Sequence, residues 1–183
     1  MNKIVAVVGM CGSGKSVAVE EFEKRGYQKV YFGAATFELM KEKGWELTPE
    51  NEKKAREELR ANGDKGIYAK IFLPKIEELY AKGNVVIESM YSWSEYKYVK
   101  EKFGDSFSVL AIITNTPLRR ERLRTRDFRP LTDSESMARD YAEIENIEKG
   151  GPIVIADYNI LNNGTKEEFL SAVNNYLDSI TDQ

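Results

Sequence analysis

Gly9-Met10-Cys11-Gly12-Ser13-Gly14-Lys15-Ser16 is the stretch from which the fold is read, and it follows directly on the apolar run Ile4–Val8. It fits the pattern G-x-x-x-x-G-K-[ST]. Glycines let the backbone wrap tightly, and without a Cβ they let N–H groups approach an anion. Upstream, Lys3–Val8 predicts a buried strand. Downstream, Val17–Arg25 predicts a helix, whose N-terminus adds partial positive charge. Strand, glycine loop and helix in that order predict a phosphate cradle at the edge of a sheet. Cys11 reads as a small residue tolerated inside the loop.

Working outward, Val85–Glu88 and Ser108–Thr114 read as buried strands, and Lys29–Phe32 and Tyr158–Leu161 as weaker ones. Helix starts lie between them. Thr48-Pro49 and Thr116-Pro117 each offer an N-cap followed by proline at the first helical position. Thr132-x-x-Glu135 and Thr165-x-x-Glu168 fit the capping box. Phe169, Leu170, Val173, Leu177 and Ile180 share one helical face, the pattern of core packing. Alternating strands and helices predict a parallel sheet covered on both faces, an α/β fold. The stretch of about 34–82 breaks the alternation with consecutive helices, a candidate substrate-binding lobe.

With 183 residues, the size prior is one domain, residues 1–183. A single cysteine excludes an internal disulfide, and the lack of any histidine excludes Ser-His-Asp, Cys-His and histidine–zinc sites. A formal net charge of -3 speaks against nucleic acid as partner. No apolar run is long enough to span a membrane, and the chain reads as cytoplasmic. Catalysis must rest on lysine, arginine, carboxylates, hydroxyls, backbone N–H groups or a metal ion.

Gly9, Gly12, Ser13, Gly14, Lys15, Ser16 and Val17 are thus the candidate contacts for the triphosphate of a purine nucleotide, ATP with Mg²⁺. Lys15 should reach the β- and γ-phosphates and the Ser16 hydroxyl should sit on Mg²⁺. Neither the D-x-x-G and N-K-x-D of Ras-type GTPases nor the L-S-G-G-Q of transporter ATPases occurs. Instead Arg119, Arg120, Arg122, Arg124, Arg126 and Arg129 crowd one segment, which begins on a helix after Pro117 and runs into a loop, Asp127–Thr132, within a lid of about 126–133. Clustered guanidiniums suit a lid that neutralises a moving phosphoryl group, with Arg122 and Arg126 as the foremost candidates.

In these features the chain resembles the nucleoside-monophosphate-kinase branch of P-loop proteins, which includes adenylate kinase and dephospho-CoA kinase. More narrowly, it resembles adenylate-kinase-related, dephospho-CoA-kinase-like proteins of archaea and bacteria. The resemblance covers nearly the whole chain. It rests on Gly9–Ser16, Thr48-Pro49-Glu50-Asn51, Glu58-Leu59-Arg60, Val85–Glu88, the arginine segment with Arg139-Asp140, Ala156-Asp157-Tyr158-x-Ile160 and Asn163-Gly164-Thr165. It implies a three-layer α/β/α P-loop NTPase fold with a five-stranded parallel sheet, a helical acceptor lobe and an arginine lid. It implies Glu88 at the end of the third strand, holding a water on Mg²⁺ or orienting the acceptor. It implies Arg60, with Arg56, on the acceptor phosphate, and Asn163 and Gly164 beside the adenine. Tyr91 stands on the acceptor side where related chains tend to carry arginine, and Gly33-Ala34 stands where they usually carry Gly-Asp. Without that Asp, a nucleoside monophosphate is favoured as acceptor, since a phosphate oxygen needs no general base. A dephospho-CoA kinase acting on a hydroxyl through Glu88 or Glu38, and a nucleotide-binding sensor or partner protein of little turnover, stay as alternatives. Acceptor, base selectivity and oligomeric state stay open.

Overall fold

The computed structural model describes residues 2–127 and 129–181, which leaves out Phe128 of the 126–133 segment along with Met1, Asp182 and Gln183. Strands β1 (Ile4–Val8), β2 (Gln28–Tyr31), β3 (Val85–Glu88), β4 (Phe107–Ile113) and β5 (Tyr158–Leu161) form one sheet in the order β2-β3-β1-β4-β5. Every pairing is parallel. β1, β3 and β4 are apolar runs buried almost throughout, as strands covered on both faces must be.

Odd and even residues of β1 feed two cores. Ile4, Ala6 and Val8 face a cluster that includes Ala35 of α2 (Ala34–Glu42), Ile76 of α4 (Ile67–Tyr80) and Val99 of α5 (Trp93–Phe103). Val5 and Val7 face the opposite cluster, built by Val19 and Phe22 of α1 (Lys15–Lys24) and by Phe169, Val173 and Leu177 of α9 (Lys166–Thr181). Helices on both faces of one parallel sheet make three layers. Of the stripe foreseen on α9, Leu170 alone stands outside both clusters.

Between β2 and β3 run three consecutive helices, α2, α3 (Pro49–Leu59) and α4. The Thr48 side chain caps α3 through the Asn51 N–H. Beyond β4 come α6 (Thr116–Thr125), α7 (Asp133–Glu145) and the short α8 (Gly150–Val154). Thr132 and Glu135 close the capping box of α7, and Thr165 and Glu168 make the matching pair of bonds before α9.

Two boundaries differ from the sequence reading. The first helix begins at Lys15, with Gly14 as N-cap, so Lys15 and Ser16 already belong to its first turn. The helix after β4 has Asn115, not Thr116, at its N-cap position. Among the described residues no helix is long and apolar enough to cross a membrane.

Candidate functional site

β1 ends where the strand order reverses: β3 and β2 lie to one side of it, β4 and β5 to the other. In open parallel sheets, ligands collect in the crevice at such a point. Gly9, Gly12 and Gly14 all have positive φ there, at 147°, 80° and 101°, so the loop between β1 and α1 needs glycine for its turns. Space demands glycine as well. A Cβ at Gly14 would lie 2.5 Å from Asn162 Nδ2, and one at Gly9 2.5 Å from the Ile112 carbonyl oxygen.

The loop is fixed from behind by its carbonyls. The Cys11 oxygen accepts from Arg119 Nη1 at 3.0 Å. The Ser13 oxygen accepts from Asn162 Nδ2 at 2.8 Å and from Thr114 Oγ1 at 3.1 Å. In a planar trans peptide the C=O and the following N–H point in opposite directions. The N–H groups of Gly12 and Gly14 therefore turn away from these anchors, and both residues line a cavity of about 320 Å³. Ser13 itself is buried and does not line that cavity.

Lys15 Nζ donates to the Met10 carbonyl at 2.8 Å across the loop. Desolvation, and next the Lys149 ammonium, bring Lys15 down to about 7, against the opposing charges of Cys11 and Glu143. Such a lysine gains from any anion that restores its charge. Ser16 Oγ donates to Glu88 Oε1 at 2.9 Å. A hydroxyl and a carboxylate side by side are hard oxygen donors, so these are the residues that could hold a divalent cation. Val17 also lines the cavity, and Arg126 reaches it from beyond α6.

A larger cavity, about 740 Å³, opens beside the first and shares Tyr31, Ser89 and Tyr91 with it. Four arginines line it: Arg56, Arg60, Arg129 and Arg139. Arg60 stacks on Tyr68 at 4.5 Å and sits 3.8 Å from Glu95, and its Nε is buried without a partner. Arg129, a non-glycine residue at φ 54°, pairs with Glu52, which also lies 3.5 Å from Arg56. The structure thus brings Arg56, Arg60 and Tyr91 to one cavity, and Lys15, Ser16, Glu88 and Arg126 to the adjoining one.

Burial pushes the Glu95 carboxyl up to about 7, opposed by the Ser92 and Tyr91 N–H groups that it accepts. Burial likewise pushes the Tyr91 hydroxyl up to about 12, and that hydroxyl donates to Ser89 Oγ at 3.0 Å.

The remaining arginines of the 119–129 segment have separate fates. Arg119 is 5% exposed and forms a bidentate pair with Asp140 on α7. Arg122 donates to the Asn162 carbonyl at 3.1 Å, behind the loop. Arg124 pairs with Glu121 in solvent.

Asn163 and Gly164 line neither cavity. Asn163 accepts the Asn115 N–H, and it is Asn162 that touches the loop. The sequence held a signal for this. Ile160 is the buried residue of β5, and side chains two apart share a face of a strand. Glu143 and Lys149, which also adjoin the site, carry no such local signal.

A family model for an AAA domain matches residues 5–148. A UPF0200 protein of Thermococcus kodakarensis is 36% identical over 182 residues, with 97% of both chains covered. One from Pyrococcus horikoshii is 33% identical over 181 residues at the same coverage. Among solved structures, a dephospho-CoA kinase from Campylobacter jejuni superposes with TM-score 0.57 at 18% identity over 97% of each chain. A shikimate kinase from Bacteroides thetaiotaomicron does so with TM-score 0.58 at 13% identity over 99% of each. At such identities the likeness is one of fold, and that fold is the three-layer α/β/α fold of P-loop NTPases.

Proposed function

Because this chain belongs to the UPF0200 family and carries an AAA domain, we propose that it is an ATP-dependent kinase whose acceptor is nucleotide-like, with a nucleoside monophosphate favoured. One observation carries the reading: the phosphate-loop cavity and the four-arginine cavity share a wall, so a triphosphate in one ends beside an anion in the other. The kinase structures of the same fold are consistent with it.

In this reading Lys15 and the loop N–H groups hold the donor phosphates. Ser16 and Glu88 hold Mg²⁺, which when bound neutralises donor charge. Arg56, Arg60 and Tyr91 seat the acceptor, and Arg126 faces the group in transit while Arg122 steadies the loop through Asn162. An acceptor phosphate oxygen forms a bond to the γ-phosphorus. The bond from that phosphorus to the bridging oxygen breaks, and ADP leaves with the electron pair. The nucleophile is already ionised at neutral pH, so no general base is required. A hydroxyl acceptor would need one, and the carboxylates foreseen for that part, Glu88 and Glu38, suit it poorly, as does Glu143. Glu88 accepts from Ser16, Glu38 lies outside the cavity wall, and Glu143 is held by two cations.

ADP release screened across nucleoside monophosphates and dephospho-CoA tests this, with Lys15→Ala as blank. Mg-ATP binding without ADP from any acceptor would overturn it. A nucleotide sensor of low turnover is the second reading, favoured by Glu52, whose carboxylate already satisfies Arg56 and Arg129. Brisk single-turnover transfer to any acceptor dismisses it.

A further inference from the structure

We propose that Lys149 is a positioning residue for phosphoryl transfer, acting through Tyr91 and Glu143 at the seam between the two cavities. The proposal rests on the kinase reading above.

Lys149 is only 2% exposed. An ammonium at that depth is costly unless paired, and a hydrophobic pair of equal volume would join the same elements without the cost. Its surroundings give it something to hold. The Nζ donates to Glu143 Oε2 at 2.6 Å and lies 4.2 Å from the centre of the Tyr91 ring. Each contact leads to a cavity wall. Glu143 accepts at its other oxygen from Arg139 Nε at 3.1 Å, and Arg139, 45% exposed, faces the four-arginine cavity. Tyr91 lines both cavities, and its backbone N–H and hydroxyl are tied to Glu95 and Ser89.

One carboxylate thus holds two cations in a row, and the buried member of the row presses its charge on an aromatic face, an attractive geometry. Tyr91 itself brings no charge to the seam. Lys149 supplies one from behind the ring and fixes ring and Arg139 relative to the phosphate loop. The Lys149 ammonium is also among the charges that lower Lys15.

The test compares the full-length wild type, Lys149→Met and the double variant Lys149→Met/Glu143→Gln, with the acceptor that supports ADP release. Misplacing groups at a transfer point by about 1 Å costs up to about 100-fold in rate. The single variant is expected to lose about 10- to 100-fold in kcat, with KM for ATP within about twofold because the loop contacts stay. In the single variant Glu143 keeps Arg139 but loses its buried cation; the double variant removes that remaining buried charge, so it should fold even where the single variant does not. Its kcat is expected to stay as low. A kcat near wild type in the single variant overturns the proposal. So does recovery of kcat in the double variant, because Lys149 would then serve only to neutralise Glu143. A wild type that binds nucleotide but releases no ADP overturns the kinase reading and this inference together, whereas an active wild type with indifferent variants overturns this inference alone.

Discussion

Replacing Asp140 by asparagine should destabilise the chain far more than a surface charge would. Asp140 and Arg119 are 11% and 6% exposed at their side chains. They meet through Nη1–Oδ1 at 3.0 Å and Nη2–Oδ2 at 2.8 Å, the bidentate form. Asparagine keeps the shape and one acceptor but leaves the guanidinium without its counter-charge. Breaking one side of a buried pair costs about 3–5 kcal/mol. For a chain of this size that lowers Tm by roughly 6–20 °C. Urea unfolding followed by circular dichroism measures it directly.

Arg119→Met/Asp140→Leu separates fold from site. Removing both charges should restore most of the stability, since apolar replacements of a buried pair are often neutral or stabilising. Nucleotide binding should still suffer, because the Cys11 carbonyl has lost the donor that aims the Gly12 N–H into the cavity. A hydrogen bond to a charged group contributes about 1.5–3 kcal/mol, so a misaimed Gly12 N–H should lower affinity about 10- to 150-fold. A double variant that binds nucleotide like the wild type would refute the reasoning, and so would Asp140→Asn unfolding with wild-type stability.

Three further outcomes can be checked. Lys15 sits at about 7 in the folded chain; phosphates favour its charged form, so the complex holds more protons than the free protein above that pH. Affinity for a triphosphate should therefore be level below about pH 7 and fall by up to about tenfold per pH unit above it. Calorimetry at pH 8 in buffers of differing ionisation enthalpy should register proton uptake, and its absence would contradict the assignment. Gly14→Ala puts a Cβ 2.5 Å from Asn162 Nδ2 at φ 101°. It should cost about 1–3 kcal/mol of stability and abolish binding of a fluorescent nucleotide; unchanged binding would count against the cradle. Asn162→Ala strips the Ser13 carbonyl of one of its two donors, and should cost about 1–2 kcal/mol in urea unfolding with weaker nucleotide binding. No change in either would remove Asn162 from the loop's support.

What the sequence disclosed was local. The run Ile4–Val8, the glycines and Lys15 are contiguous, so pattern alone implies strand, turn and helix. Capping boxes at Thr132 and Thr165 span four residues and were equally readable. β2 and β5 gave weak signals for a physical reason: they are the edges of the sheet, with one buried residue each, Val30 and Ile160. A strand half covered has little reason to be an apolar run. The supports of the site were hidden because their partners are remote. Asn162 lies 149 residues from the Ser13 carbonyl that it binds. Lys149 stands in a stretch without a motif, and nothing local tells of the Tyr91 ring beside it.

The arginine segment shows how a run of like charges divides once it is wound on a helix. Arg119, Arg122 and Arg126 are spaced by three and then four residues, the interval of one helical face. That face turns to the phosphate loop, and its members differ in what they meet. Arg119 is buried on Asp140, Arg122 is half-buried on Asn162, and Arg126, where the helix ends, enters the cavity with Lys15. Arg124 points to solvent, 61% exposed. The two charges are alike in sequence and opposite in place. If the proposed transfer occurs here, Arg126→Ala removes a cation that meets the moving charge, and kcat should fall by about 100-fold or more. Arg124→Ala should leave kcat within about twofold, because a solvated i,i+3 pair contributes little. Equal losses at both positions would mean that the segment acts through its overall charge, and the ordering by helical face would be wrong.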